Sequence, residues 1–406
     1  MTDELAGKPV GERIQTIRER AGKSRPVVAG LVGRSAEWLK AIEKGRLQPP
    51  RLEMLIRLAE VLGVTDLAEL TGNEQLLSGF PRRATHPVVP SIQEAIEDIQ
   101  LAVAVSPPDI GELALRTERA WQLWHSSTQP RADAGAMLPS IIRDGRRAVR
   151  ILDGDERRAA YATLASAYAL AEVLLAWVGE APLLWLAADR CMDAAQQADR
   201  PEVLAAAAWV VGNVWRSCRR EEDAWHLTQD ACSLLEPYLN GQSNGARALW
   251  GACQLHSSIT AARVGREGDA LRCLDAGTAM STRLPDNYAH PWTLFGRPNV
   301  ALTGVSVQVD LHKSGSALDY AGRVDPDAIP SVERRARLWL ETARAYAQRR
   351  DYTSTLHVLQ RAVAISEESM RCHPLSRGLA GELVTAGGRL VEREARALAR
   401  RIGITA

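Results

Sequence analysis

The chain has 406 residues, a hydrophobic content of 46% and a formal net charge of +1. That length exceeds one compact core, so two or more domains are expected. The balanced charge excludes a chain that is basic or acidic throughout, and there are eleven Trp but only two Phe. Charge is instead concentrated locally. Between Arg13 and Arg57 eleven Lys or Arg stand against four Glu, which is the footprint of a phosphate-backbone reader. The first helix is marked by Val10, Ile14, Ile17 and Ala21 at helical spacing. Gly22 stops it, and Ser24 and Pro26 open a second helix that runs to about Leu31. Gly33 allows a tight turn, Ser35 caps a third helix from Ala36 to about Lys44, and Gly45 ends it. Pro49 and Pro50 precede a fourth helix with Leu52, Leu55, Leu58, Ala59 and Leu62 inward, and a short fifth spans about Thr65 to Leu70. Ala29, Leu31, Leu39 and Ile42 are expected in the core.

Residues 11–63 resemble the five-helix helix-turn-helix module of the phage-repressor-like (XRE) family of bacterial DNA-binding proteins. The resemblance implies that the third helix enters the major groove of double-stranded DNA. Ser24, Arg25, Arg34, Ser35, Ala36, Glu37, Lys40, Lys44 and Arg46 are then the DNA-facing residues. Arg25, Arg34, Lys44 and Arg46 are the phosphate contacts among them, and Glu37 can accept from cytosine N4. Arg25 stands where the family usually carries Gln.

From Gly72 to Pro90 the Gly, Pro and paired Arg residues mark a linker. Residues 91–105 form one amphipathic helix, with Ile92, Ile96, Ile99 and Val103 on a stripe; it either pairs with its own copy or caps the helical array beyond it. The domain boundaries read 1–75, 76–110 and 111–406. Tyr161 to Gly179 carries Glu172 as its only charge, yet Ala and Ser dominate it and its neighbours are ordinary helices. It is expected to be a buried helix, not a membrane span. The opening residues have no signal-peptide character, and a cytoplasmic protein is expected.

Beyond Gly111 helix succeeds helix, with no strand-like alternation. Small residues recur on the first helix of successive pairs at Ala165, Gly212, Ser258, Val305 and Ala343, with Tyr168, Trp215, Ala261, Gln308 and Tyr346 three positions later. Ala224 and Ala231, Ala270 and Gly277, and Ala317 recur on the second helices. The unit resembles a tetratricopeptide (TPR) repeat with a longer period. The fold class is therefore all-α: a five-helix DNA-binding domain and then a TPR-like α-solenoid. WTLFGRPNVAL, RVDP at 323–326, RRARLWLETARAYAQ at 334–348 and CHPLSRGL at 372–379 resemble actinobacterial regulators that join an XRE module to such repeats.

In such arrays the first helices line a concave face, and the resemblance extends to peptide-sensing regulators of Gram-positive bacteria, where inward Asn side chains pair with a peptide backbone. Carried onto this sequence, the candidate ligand residues are Trp209, Asn213, Arg216, His256, Arg263, Trp292, Phe295, Asn299 and Arg344. Trp215 and Trp250 are further candidates for apolar anchoring. The six cysteines form no C-x-x-C pair, so reduced thiols and no metal site are expected. No catalytic motif or cofactor motif is present, so no enzyme activity and no cofactor are expected. The expected function is a ligand-responsive, homodimeric transcription regulator that recognises a peptide or small molecule. The alternative is a protein-interaction scaffold in which DNA binding is secondary.

Overall fold

The computed structural model describes residues 5, 8–47, 50, 52–62, 64, 67–71, 84–99, 106, 108–241 and 243–404. The expected contributions of residues 100–105 to the amphipathic helix, of Leu52 to the core and of the linker 72–83 lie outside the described residues or side chains. The chain divides into two compact units, Met1–Arg82 and Arg83–Ala406.

The first unit comprises α1 (Val10–Arg20), α2 (Arg25–Leu31), α3 (Ala36–Glu43), α4 (Leu52–Leu62) and α5 (Leu67–Thr71). Gly22 and Gly45 hold left-handed φ values of 64° and 67° after α1 and α3, a conformation that a side chain disfavours. Ile14, Val28, Ala29, Leu39 and Leu58 are fully buried and form the core. Ser35 caps α3, its side chain accepting from the Trp38 amide at 3.2 Å. Ser24 occupies the N-cap of α2 but makes no side-chain cap bond. Leu31 also departs from expectation: it is 64% exposed. The inward stripe of α2 runs through Val28, Ala29 and Val32, and Leu31 falls on the helix face turned away from that stripe.

The second unit opens with α6 (Val89–Glu97), which lies on α8 and caps the array. Ile92, Ala95 and Ile96 are fully buried, and Arg146 donates to the Ala95 and Ile96 carbonyls at its C-terminal end. Helical hairpins come next: α7 (Ile110–Ser126) with α8 (Pro130–Ile151), α9 (Gly154–Leu175) with α10 (Ala181–Ala198), α11 (Pro201–Ser217) with α12 (Glu221–Leu235), and α13 (Asn244–Arg263) with α14 (Glu267–Ser281). The array continues through α15 (Arg297–Asp310) with α16 (Ser314–Ala321) and α17 (Val332–Gln348) with α18 (Tyr352–Ile365). It ends in α19 (Glu367–Cys372), α20 (Pro374–Ala386) and α21 (Glu392–Arg401). Each odd-numbered helix from α7 to α17 packs on the next odd-numbered helix as well as on its own partner, the arrangement of an α-solenoid. Ala165, Gly212, Ser258, Val305 and Ala343 are each buried on one of these first helices.

Four hairpin turns share one backbone device. Arg219, Gly265, His312 and Arg350 are left-handed. The amide of the next residue donates back to the carbonyl of Trp215, Ala261, Gln308 or Tyr346, at 2.9, 2.9, 2.8 and 3.1 Å. That six-to-one bond satisfies a carbonyl the helix end would otherwise leave open. Its acceptors are four of the five residues that recur three positions after the small residues of the first helices, Tyr168 being the exception.

The array closes on itself. α17 packs against α7 and α19 against α8. The Glu368 carboxylate caps α8 by accepting from the Arg131 and Ala132 amides at 2.8 and 3.1 Å, and it lies 3.1 Å from His86 Nε2. The Ser366 hydroxyl donates to the Thr128 carbonyl at 3.0 Å. The apolar stretch at 161–179 is α9 and its following turn, packed among α7, α8, α10 and α11. Among the described residues no helix is long and apolar enough to cross a membrane.

Candidate nucleic-acid interface and ligand cavity

In the first unit, Ser24, Arg34, Ser35, Glu37, Lys40, Lys44 and Arg46 are exposed and Ala36 is half-buried. The Arg34 guanidinium lies 5.7 Å from the centre of the Trp38 ring, while Lys40 stays 3.8 Å from Glu37 and Lys44 reaches Gln15 at 3.3 Å. Cationic side chains therefore flank the start of α3 and the turn after it. Arg25 has, beside the expected phosphate role, a partner within the domain. Its Nε is 2.5 Å from Glu43 Oε2, and the same buried carboxylate receives Arg18 Nε at 2.5 Å. Glu43 thus ties α1 and α2 to α3, and Arg25 is part of that tie. Arg18 is held above the usual arginine range by its hydrogen bond to Glu43, against the cost of burial. Sequence reading missed Glu43 because a Glu in the last turn of a helix reads as solvated.

In the second unit the first helices surround a cavity of about 240 Å³. Seven of the nine residues expected to receive a ligand line it: Trp209, Asn213, Arg216, His256, Arg263, Trp292 and Asn299. Phe295 does not act as a wall residue. It is fully buried, with its ring against Gly251, where an added Cβ would come within 2.0 Å of the ring. It is a core anchor of the 285–296 segment. Arg344 lies behind the wall, where its guanidinium holds Asp310 at 2.7 Å and Glu341 at 2.5 Å. Trp215 and Trp250 are not among the lining residues either; Trp215 faces Trp185 and Arg220.

Several wall residues were not foreseen: Trp124, Glu172, Trp177, Asp310 and Arg337. Glu172 had a visible signal, since it is the one charge in an apolar helix. Trp177 did not, because it lies in the turn after α9. It has a φ of 69° there, a strained value for a bulky side chain. The fully buried Arg131 lies beneath it, 5.8 Å from its ring and 5.4 Å from that of Trp124. Trp292 stacks on Trp121 at 5.8 Å, and His125 Nε2 meets the Pro291 carbonyl at 2.9 Å. These contacts tie the 285–296 segment to α7.

The polar groups of the cavity are unequally satisfied. Arg337 reaches Glu341 at 2.7 Å and Arg263 reaches Asp310 at 3.7 Å. Burial pushes the Glu341 carboxyl up, but Arg337 and Arg344 outweigh it and hold it below the usual range. Arg216 donates to Asn213 Oδ1 at 2.9 Å and, at 3.4 Å, to the His256 carbonyl and the Thr260 hydroxyl. Burial, with the nearby Arg263 charge, lowers its pKa to about 9. Burial raises Glu172 to about 8, against the pull of Arg216 and Asn213. His256 is held well below its ordinary value by burial and then by Arg216 and Arg263. Glu172 Oε2, His256 Nε2 and Asn299 Oδ1 are buried without a hydrogen-bond partner. A cavity with aromatic walls and a few convergent, unsatisfied polar atoms is equipped to hold a ligand.

The six cysteines are free, and all but the half-buried Cys218 are buried. Among the described residues no three His, Cys, Asp or Glu side chains cluster as metal ligands would.

Residues 9–70 match the family model described as a helix-turn-helix domain, and the first unit is a helix-turn-helix domain. No curated protein matches the chain. Among solved structures, a Rap protein complexed with competence and sporulation factor is similar at 14% identity and a TM-score of 0.44, over 89% of this chain and 100% of that one. A likeness of that size leaves binding to be argued from this chain's own residues.

Proposed function

We propose that the chain is a DNA-binding transcription regulator whose repeat unit receives a ligand in the central cavity. The family match and the exposed basic residues around α3 support duplex DNA as the partner of the first unit. The observation that carries the ligand role is the make-up of the wall. Its residues come from α7, α9, α11, α13, α15 and α17, so it spans the seam at which the array closes. An occupant that touches both sides of the seam favours the closed arrangement over an open one. A ligand acts on DNA affinity only through such a difference between two states. The cavity's role is binding and not catalysis. We place the regulator in the cytoplasm and assign it a homodimeric state, because a paired half-site multiplies the discrimination of one small module. The XRE subfamily and the actinobacterial regulator class are part of the same proposal.

Anisotropy titration of duplex DNA across a salt series tests the DNA arm. Arg34→Ala is expected to weaken binding to many sequences and to reduce the log–log salt slope by about 1, the signature of one lost phosphate contact. An unchanged slope contradicts the assignment of Arg34.

A further inference from the structure

Among the described residues, the lining cations other than Arg216 each have a carboxylate within ion-pair distance. Asp310 and Glu341 are engaged by Arg263, Arg337 and Arg344, and Glu333 lies 3.6 Å from Arg334. Arg216, half-buried on α11, has among the described residues no carboxylate within the 4.0 Å of an ion pair, and Asp310 and Glu172 act on it only from farther off. A half-buried charge with no close counterion favours an anion that can approach it. Around it the wall offers unsatisfied polar atoms on Glu172 and His256, both more than nine-tenths buried, and the rings of Trp124, Trp177, Trp209 and Trp292. Glu172 makes no ion pair with Arg216, and burial pushes the Glu172 carboxyl up to about 8, which disfavours its charged form. In its protonated form Glu172 offers an O–H donor suited to an acceptor oxygen. The volume of about 240 Å³ lies under the roughly 300–1,000 Å³ that accommodates drug-sized ligands. A compact occupant suits that volume.

We propose that the cavity takes a small aromatic carboxylate, its anionic head on Arg216 and its ring against the tryptophans. The proposal rests on the reading of the cavity as the ligand site and names the class of molecule that fits it.

Calorimetric titration of the full-length protein tests it with three probes: naphthalene-1-acetate, the neutral naphthalene-1-acetamide, and a hepta-alanine peptide. The acid is expected to bind about tenfold or more tightly than the amide, as one charge-assisted hydrogen-bond set implies. Arg216→Gln is expected to erase that preference while still binding the amide, and Arg216→Lys to retain part of it. Equal affinity of acid and amide for the native protein overturns the proposal and needs no variant. So does a preference that survives Arg216→Gln, and so does the absence of acid binding at millimolar concentration. Tighter binding of the peptide, with a change in DNA affinity, overturns the carboxylate class and leaves the sensor reading intact. Acid binding that leaves DNA affinity unchanged supports the carboxylate site and contradicts the sensor reading.

Discussion

At Glu43 a single carboxylate with no exposed side-chain surface holds two arginines, Arg18 and Arg25. Removing one partner of a buried pair leaves the other charged and unsolvated, which typically costs about 3–5 kcal/mol. Glu43→Gln keeps the shape and some hydrogen bonding, so a loss near the lower figure, about 3 kcal/mol, is expected. Hydrogen exchange over residues 10–62 measures it; unchanged protection contradicts the role given to Glu43. Residues on one helix were the legible part of the candidate site. Trp209, Asn213 and Arg216 are spaced to share a face of α11, and all three line the cavity. Phe295 was misread and the tie of Arg25 was missed because their partners, Gly251 and Glu43, are distant in the chain. No local pattern announces such a meeting.

Among the elements, the repeats were readable where they depend on side-chain size and opaque where they depend on backbone. Ala165, Gly212, Ser258, Val305 and Ala343 mark the close approach of neighbouring helices. The turns do not announce themselves, because Arg219, His312 and Arg350 stand where only Gly265 has the residue that a left-handed φ favours. Arg350, at 59°, is exposed. Arg350→Gly relieves the side-chain strain but frees the unfolded chain, and a net gain of up to about 1 kcal/mol is expected. Denaturant unfolding checks it, and a clear loss contradicts the strain account. Phe295 was expected to meet a ligand, but it fastens its segment to α13 through Gly251. Gly251→Ala drives a methyl into that ring, and overpacking of this kind costs about 1–3 kcal/mol. Near-ultraviolet circular dichroism reads the expected disturbance of the Trp121–Trp292 stack. A native spectrum at native stability contradicts the anchoring role.

The architecture of the whole molecule, a helix-turn-helix domain and then a helical array, was legible from a basic stretch and a change to small-residue repeats. Its closure was not, because Glu368 meets His86 and the start of α8 across more than two hundred positions. That closed interior carries a pH signature. Burial depresses His290 to about 4 and holds His256 and His373 well below their ordinary value. Depressed imidazoles contribute stability that is present above the unfolded value near 6.5 and lost as pH falls below it toward the folded value. A tenfold change in proton affinity between the folded and unfolded chain is worth about 1.4 kcal/mol. Glu172 acts in the opposite direction. Its raised pKa gives stability below the unfolded carboxylate value, lost as pH rises through about 8. Calorimetric melting from pH 5 to 9 is therefore expected to show a steep acid limb and a shallower alkaline one, the latter flattened by Glu172→Gln. A flat acid limb contradicts the buried, neutral histidines. The most direct test of the regulator itself is selection of random duplex DNA by the full-length protein beside an Arg34→Ala, Lys40→Ala variant. Enrichment of one two-fold symmetric site by the native chain, lost in the variant, is the result expected of a dimer reading DNA through α3. No enrichment at low salt, or equal enrichment by both chains, contradicts it.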